Sequence, residues 1–94
     1  MVYEELKPFE WVLIQCEGKL ARKRPQYGES WRTMSITELA QRLKDKIRKW
    51  EYLFEDDPRN LFQKHELVDI INIALMLATR LKVEDEEVIP FRES

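Results

Sequence analysis

Two acidic side chains, Glu66 and Asp69, stand three residues apart beside the most apolar segment of the chain, residues 70–78. On an α-helix this spacing puts both carboxylates on one face, one turn apart. Such an E-x-x-D pair offers oxygen ligands to a divalent cation, which takes about six ligands in all. Two carboxylates are too few to hold such an ion alone, so we expect no cofactor. Magnesium is possible only if another helix supplies further acidic ligands.

The residues expected to lie opposite this pair are basic. If the second and third helices form a hairpin that turns near Asp57, opposed positions sum to roughly 115. Lys46 then lies opposite Asp69, and Lys49 lies near Glu66. We therefore expect Asp69 and Lys46 to form an ion pair in place of a metal cage. Two roles stay open for Asp69 and Asn72, either setting the register between helices or serving a ligand site.

A segment without helical or strand period, residues 25–34, nevertheless contains large aromatic side chains. Tyr27 and Trp31 could stack on a nucleobase while Arg32 holds a phosphate. The plainer interpretation is that Tyr27 and Trp31 cover the open end of a helical bundle, with Gly28 allowing the turn.

Apolar residues spaced by three and four positions predict three helices in a single domain, residues 1–94. The predicted helices span about 8–24, 36–55 and 58–81. Pro25 is expected to end the first helix, because the residue before a proline avoids helical geometry. Ser35 and Glu38 form a capping box at the start of the second helix. Asp57 and Pro58 have the types expected at the start of the third helix.

The predicted fold class is therefore all-α, a three-helix antiparallel bundle. Residues 67–78 of the third helix are apolar nearly all round, and two further helices in so short a chain can hardly cover them. We therefore expect a second copy to cover part of this helix, in a homodimer. The expected contact residues are Ile70, Ile71, Leu75 and Leu77. The acidic tail, residues 83–94, has no clear period and is expected to form a loose end.

Charge is distributed unevenly along the chain. Residues 1–18 carry a net charge of −3, residues 19–50 carry +7 and residues 51–94 carry −6, for a total of −2. The basic middle could attract phosphates or pair with the acidic flanks. An acidic total makes a nucleic-acid-binding adaptor the weakest of the functions considered.

Composition bears on the compartment as well. Cys16 is the only cysteine, which excludes an internal disulfide. The N-terminus lacks the pattern of a signal peptide, and the longest apolar run is too short to span a bilayer. We expect a cytoplasmic protein with no membrane partner, and a charged fraction of 36% is typical of heat-adapted proteins.

Parts of the chain resemble two known families. Glu66-Leu67-Val68-Asp69, with the apolar residues that follow, resembles the second acidic helix of the MazG-like all-α nucleotide pyrophosphatases. Those enzymes bind magnesium with an E-E-x-x-E helix and an E-x-x-D helix, and they hydrolyse nucleoside triphosphates to monophosphates and pyrophosphate. The chain also resembles the small phage-associated "nucleotide modification associated" domains over roughly residues 20–80. The pieces that carry this second resemblance are Tyr27-Gly28-Glu29-Ser30-Trp31-Arg32, Lys44-Asp45-Lys46-Ile47 and Asp69-Ile70-Ile71-Asn72.

The resemblance implies a role in nucleotide metabolism and a set of candidate residues. Glu66 and Asp69 would be the metal ligands, and the nucleotide-binding candidates are Tyr27, Trp31, Arg32, Lys44, Lys46 and Asn72. The first acidic motif is absent from the second helix, so metal-dependent hydrolysis is expected to be weak or absent. If the chain is an enzyme, the resemblance implies a nucleoside triphosphate pyrophosphohydrolase. The alternative is a non-catalytic helical oligomerisation module in which all of these residues are structural.

Overall fold

The computed structural model describes residues 4–27 and 30–88, with side chains for residues 4–25 and 30–82. The α-helices are α1, Glu10–Tyr27, α2, Ile36–Asp56, and α3, Gln63–Val88. Stretches of 3-10 helix precede α1, at Glu4–Phe9, and α2, at Ser30–Arg32. No strand occurs in the described residues, and the predicted all-α fold class is confirmed.

Helices α2 and α3 form an antiparallel hairpin that supplies most of the contacts between helices. Lys46 meets Asp69, and Trp50 Nε1 donates a hydrogen bond of 2.9 Å to Gln63 Oε1. Both pairs fit the register predicted from the sequence, because a short connection leaves little freedom to slide one helix along the other.

Helix α1 packs mainly against α3, with contacts at Asp69 and Asn72 in the first part of that helix. At the crossing, Asn72 Nδ2 donates a hydrogen bond of 3.3 Å to the carbonyl oxygen of Cys16. The buried side chains among the described residues are Cys16, Leu39, Val68, Asp69 and Asn72. Two of these five are polar, so hydrogen bonds and charge pairs share the centre of the bundle with apolar packing.

The prediction that Pro25 ends the first helix was wrong. The described chain is already helical from Glu4, and α1 continues through Pro25 to Tyr27. A proline in the last turn removes one backbone hydrogen bond but leaves the preceding turns intact, so the helix tolerates it there. The predicted loop is thereby shortened, and Gly28 lies outside the described residues.

The predicted start of the third helix at Pro58 was also wrong, because α3 begins at Gln63. Asp57 instead ends α2, with its backbone N–H donating to the carbonyl oxygen of Leu53. Asp57 Oδ1 then accepts from the N–H of Arg59, and Asn60 Oδ1 accepts from the N–H of Phe62. Such side-chain bonds to the backbone compete with helix formation and hold this connection in turns.

The expectation of a loose acidic tail was wrong for its first part. Helix α3 extends to Val88, while residues 89–94 lie outside the described part of the chain. Once a helix has formed, each added residue contributes a hydrogen bond, and glutamate is a good helix former. A helix can therefore extend beyond the apolar stripe from which it was predicted.

Candidate functional site

Asp69 lies where the three helices meet, and its carboxylate is shared between two lysines. Lys46 Nζ on α2 donates to Asp69 Oδ2 at 2.9 Å, which confirms the predicted pair. Lys19 Nζ on α1 lies 2.5 Å from Asp69 Oδ1. The side chain of Asp69 is only 10% exposed. Each oxygen of this nearly buried carboxylate therefore contacts an ammonium group, and the two ammonium groups come from different helices.

Glu66 joins this network from one turn earlier on α3. Its Oε1 lies 3.7 Å from Lys46 Nζ, so Lys46 faces both carboxylates of the E-x-x-D pair. Lys49, expected near Glu66, lines the cavity described below. The ion network thus contains Lys19, Lys46, Glu66 and Asp69.

The network shifts the ionisation of its members. Desolvation raises the pKa of Asp69, but hydrogen bonds and charge attraction from Lys19 and Lys46 outweigh it and leave that pKa below its usual value. Desolvation lowers the pKa of Lys46, but Asp69 and Glu66 outweigh it and leave that pKa above its usual value. Burial first, and then the charge of Asp69, raise the pKa of the Cys16 thiol. Asp69 and Lys46 are therefore charged at neutral pH.

A cavity of about 740 Å³ opens beside the network, between the three helices and the Ser30–Arg32 turn. Basic side chains predominate in its lining. They are Lys19, Lys23, Arg24, Arg32, Arg42, Lys46 and Lys49. The acidic residues of the lining are Asp45 and Asp69, so the described basic side chains exceed the acidic ones by five.

The cavity also has an apolar part next to its basic side chains. Its members are Leu20, Trp31, Met34, Leu39, Ile73 and Met76. Trp31 is half-buried, and the guanidinium of Arg32 lies over its ring at 4.7 Å from the centroid. The combination of an aromatic ring, aliphatic side chains and an excess of cations suits a ligand with a flat apolar part and an anionic part.

Hydrogen bonds from α3 hold the Ser30–Arg32 turn in place. Arg80 Nη1 donates to the carbonyl oxygen of Trp31 at 2.9 Å and also to that of Met34. Inside the turn, the N–H groups of Thr33 and Met34 donate to the carbonyl oxygen of Ser30. These bonds hold residues 30–34, the last part of the predicted loop, against the wall of the cavity.

Most of the nucleotide-binding candidates meet at this cavity. Trp31, Arg32, Lys46 and Asn72 line it, whereas Lys44 is exposed on α2 outside the lining. The side chain of Tyr27, the remaining candidate, lies outside the described residues.

Asn72 keeps one buried polar atom without a partner. Its Oδ1 accepts no hydrogen bond from a described residue, while its Nδ2 is bonded to Cys16. Asn72 contacts α1 and lines the cavity at the same time, so its position fits both roles considered for it.

Several cavity residues were missed from the sequence, namely Lys19, Lys23, Arg24, Arg42 and Lys49. A signal for two of them existed, because Lys19 and Lys23 are four residues apart on the same face of α1 as Cys16 and Leu20. The hairpin register placed Lys49 near Glu66, but the position of Lys49 in the cavity, like that of Arg42, depends on how α1 packs against the other helices.

The predicted metal ligands, Glu66 and Asp69, lie on one face of α3 as expected and share Lys46. Within the described side chains, no group of three or more histidine, cysteine, aspartate or glutamate residues is arranged to hold a metal ion. A cation at Asp69 would have to displace at least one of the two ammonium groups that its oxygens now contact.

Comparison with known proteins adds no relative. No protein-family model, curated protein or solved structure matches this chain. None of the helices in the described residues combines the length and the apolar content needed to cross a membrane.

Proposed function

We propose that this chain binds a phosphorylated nucleoside in the cavity between its three helices. Cationic side chains would hold the phosphates without a bound magnesium ion. The observation that carries this proposal is the lining of the cavity, where basic side chains exceed acidic ones by five beside an apolar part that includes Trp31. A volume of about 740 Å³ is in the range of small-molecule sites.

The phosphate part of the ligand would contact the basic side chains that the ion network does not use. Lys23, Arg24 and Lys49 line the cavity, and none of them pairs with a carboxylate among the described residues. Unpaired lysine and arginine side chains favour phosphate, because each contributes charge-assisted hydrogen bonds.

The base would lie against the apolar part. Trp31 offers an aromatic surface, and Leu39 and Met76 add aliphatic contacts. Stacking on an aromatic side chain contributes about 1–3 kcal/mol per base and tolerates any base, so we assign the class of nucleotides and no particular member.

The resemblance of residues 27–32, 44–47 and 69–72 to nucleotide-associated domains favours a nucleotide over other organic phosphates. We assign binding and not hydrolysis, because both oxygens of Asp69 already contact lysine ammonium groups. The function proposed is therefore that of a cytoplasmic, MazG-like nucleotide-binding domain.

Isothermal titration calorimetry in the presence of a chelator tests this function with ATP, AMP and adenosine. We expect ATP to bind more tightly than AMP, and adenosine to bind weakly, because the cations contribute in proportion to phosphate charge. Lys49→Ala should weaken ATP binding about tenfold, since one charge-assisted contact is worth roughly 1.4 kcal/mol or more.

Lys44→Ala is the matched control, because it removes a lysine from the same helix outside the cavity lining. It should leave the affinity for ATP unchanged. Absence of binding for all three ligands at millimolar concentration would overturn the proposal, and so would equal losses in the two lysine variants.

A non-catalytic assembly module is the second candidate function, and a separate observation favours it. The side of α3 that faces away from the cavity carries exposed apolar side chains.

A further inference from the structure

Helix α3 has two apolar faces, and the described residues cover only one of them. Val68, Asp69 and Asn72 lie on the inner face and are buried against α1 and α2. The opposite face carries apolar residues spaced alternately by four and three positions. They are Leu67, Ile71, Ala74, Ala78 and Leu81, with Leu75 beside them.

This outer stripe is open to solvent in the single chain. Leu67 is 40% exposed, Leu75 52% and Leu81 50%, and both alanines are exposed as well. Isolated exposed leucines are normal on protein surfaces, but apolar residues spaced alternately by four and three positions along one face are the pattern of a helix that packs against another helix.

We propose that the outer stripe of α3 is a self-association surface, on which α3 of a second copy packs antiparallel. The expected assembly is a two-fold homodimer, in which the same stripe is buried on both chains. This inference does not depend on the nucleotide proposal, because the cavity lies on the inner side of α3.

Charge determines the direction of the pairing. Residues 84–87, Glu-Asp-Glu-Glu, lie in the last turns of α3, where the helix dipole is also negative. Parallel pairing would bring two such acidic ends side by side, at a cost from like-charge repulsion. Antiparallel pairing separates them by the length of the helix, about 39 Å at 1.5 Å per residue. It also places residues 84–87 of each copy beside the first turn of α3 in the other copy, where Lys64 is exposed.

The sizes of the side chains fit the same geometry. Ala74 lies near the middle of α3, where the two-fold axis of an antiparallel pair would pass, and Ala78 is one turn beyond it. Small residues at the middle let the two helices approach closely, while Leu67 and Leu81 supply larger apolar contacts towards the ends.

Sedimentation equilibrium of the full chain tests the assembly over concentrations that reach the millimolar range. We expect a dimer for the unmodified chain and a monomer for Ala78→Arg. Circular dichroism should show the same helix content in both, because Ala78 is exposed in the single chain. The matched control is Thr79→Arg, which adds the same charge at the next exposed position, off the stripe, and should stay dimeric.

Disulfide trapping in a Cys16→Ala background tests the direction. A disulfide needs Cα atoms within about 7 Å of each other. In an antiparallel pair, chains with Leu67→Cys should therefore cross-link to chains with Leu81→Cys but not to themselves. Several results would overturn the inference: a monomer at every concentration, a dimer unaffected by Ala78→Arg, equal dissociation by Thr79→Arg, or cross-links of each cysteine variant only to itself.

Discussion

At the scale of single residues, Asp69 is a nearly buried carboxylate with two lysine partners that are far apart in the sequence. An unpaired charge in this position would cost several kcal/mol, so each lysine compensates the desolvation of the aspartate. Removal of either lysine leaves the other paired with Asp69. The loss of Asp69, in contrast, leaves two neighbouring ammonium groups without their shared counter-charge.

We therefore expect Asp69→Ala to lower the free energy of unfolding by about 3–5 kcal/mol, as for removal of one partner of a buried ion pair. Lys46→Met should cost less, because Lys19 still pairs with Asp69. The double variant should cost less than the sum of the two single changes by more than about 0.5 kcal/mol. Urea denaturation of the four proteins in this cycle measures the coupling.

The exposed pair of Asp45 and Arg48, at 3.3 Å, is the control for that cycle. Its coupling should be smaller, since exposed ion pairs contribute about 0–1 kcal/mol. Equal couplings in the two cycles, or additivity at Asp69 and Lys46, would show that the buried pair does not stabilise the fold.

The same residue predicts how stability depends on pH. The pKa of Asp69 is lowered in the folded chain, so its contribution is complete above the unfolded value of 3.8 and is lost as pH falls towards the folded value. The contribution of Lys46, whose pKa is raised, is complete below 10.5 and is lost as pH rises further. Asp69→Asn should therefore lose much more stability at pH 7 than in acid below the folded pKa. A constant loss at both pH values, measured by urea denaturation, would contradict this assignment.

At the scale of elements, the start of α2 is determined by one serine. Ser35 Oγ accepts a hydrogen bond of 3.0 Å from the N–H of Glu38, as the capping box predicts. The carboxylate of Glu38 instead lies 3.7 Å from Arg42, one turn along the helix. The capping interaction with measurable consequences is therefore the serine bond.

Ser35→Ala should lower the free energy of unfolding by about 1 kcal/mol, the usual cost of losing a side-chain N-cap. Ser35→Asp should restore most of that loss, because aspartate is also a good N-cap and a negative charge is favourable at a helix N-terminus. Thermal denaturation measures both variants. Equal stability of Ser35→Ala and the unmodified chain would mean that tertiary packing alone fixes the start of α2.

At the scale of the whole molecule, the chain concentrates its basic residues around one cavity although its net charge is −2. A fully ionised triphosphate carries more negative charge than its magnesium complex, so the basic cavity should prefer the free nucleotide.

We therefore expect an excess of magnesium to weaken ATP binding relative to a chelator, as measured by calorimetry at constant ionic strength. The control is AMP, which binds magnesium less strongly and whose affinity should change less. If ATP bound only when magnesium is present, the cavity would still be a nucleotide site, but the proposal that it binds nucleotides without the metal would be wrong.

The fold class, the start of α2 and the contact between Asp69 and Lys46 could all be predicted from the amino-acid sequence. These depend on local rules, namely apolar spacing, a serine cap and the register of a hairpin with a short connection. Local rules were insufficient at the two prolines. Pro25 lies in the last turn of a helix that it was expected to end, and Pro58 lies in a connection that was expected to be the start of a helix. The side chains of Asp57 and Asn60 decided the outcome at the second of these positions.

The second partner of Asp69, Lys19, and the position of Arg42 and Lys49 in a cavity shared with α1 depend on the packing of the three helices. The packing of α1 on α3 sets these contacts, and it depends on residues far apart in the sequence, such as Cys16 and Asn72, which are 56 residues apart. Apolar spacing along α1 indicates which face is apolar but not the angle at which it crosses α3. The position of the Lys19 ammonium group relative to the Asp69 carboxylate follows from that angle, so it is fixed only when the chain has folded.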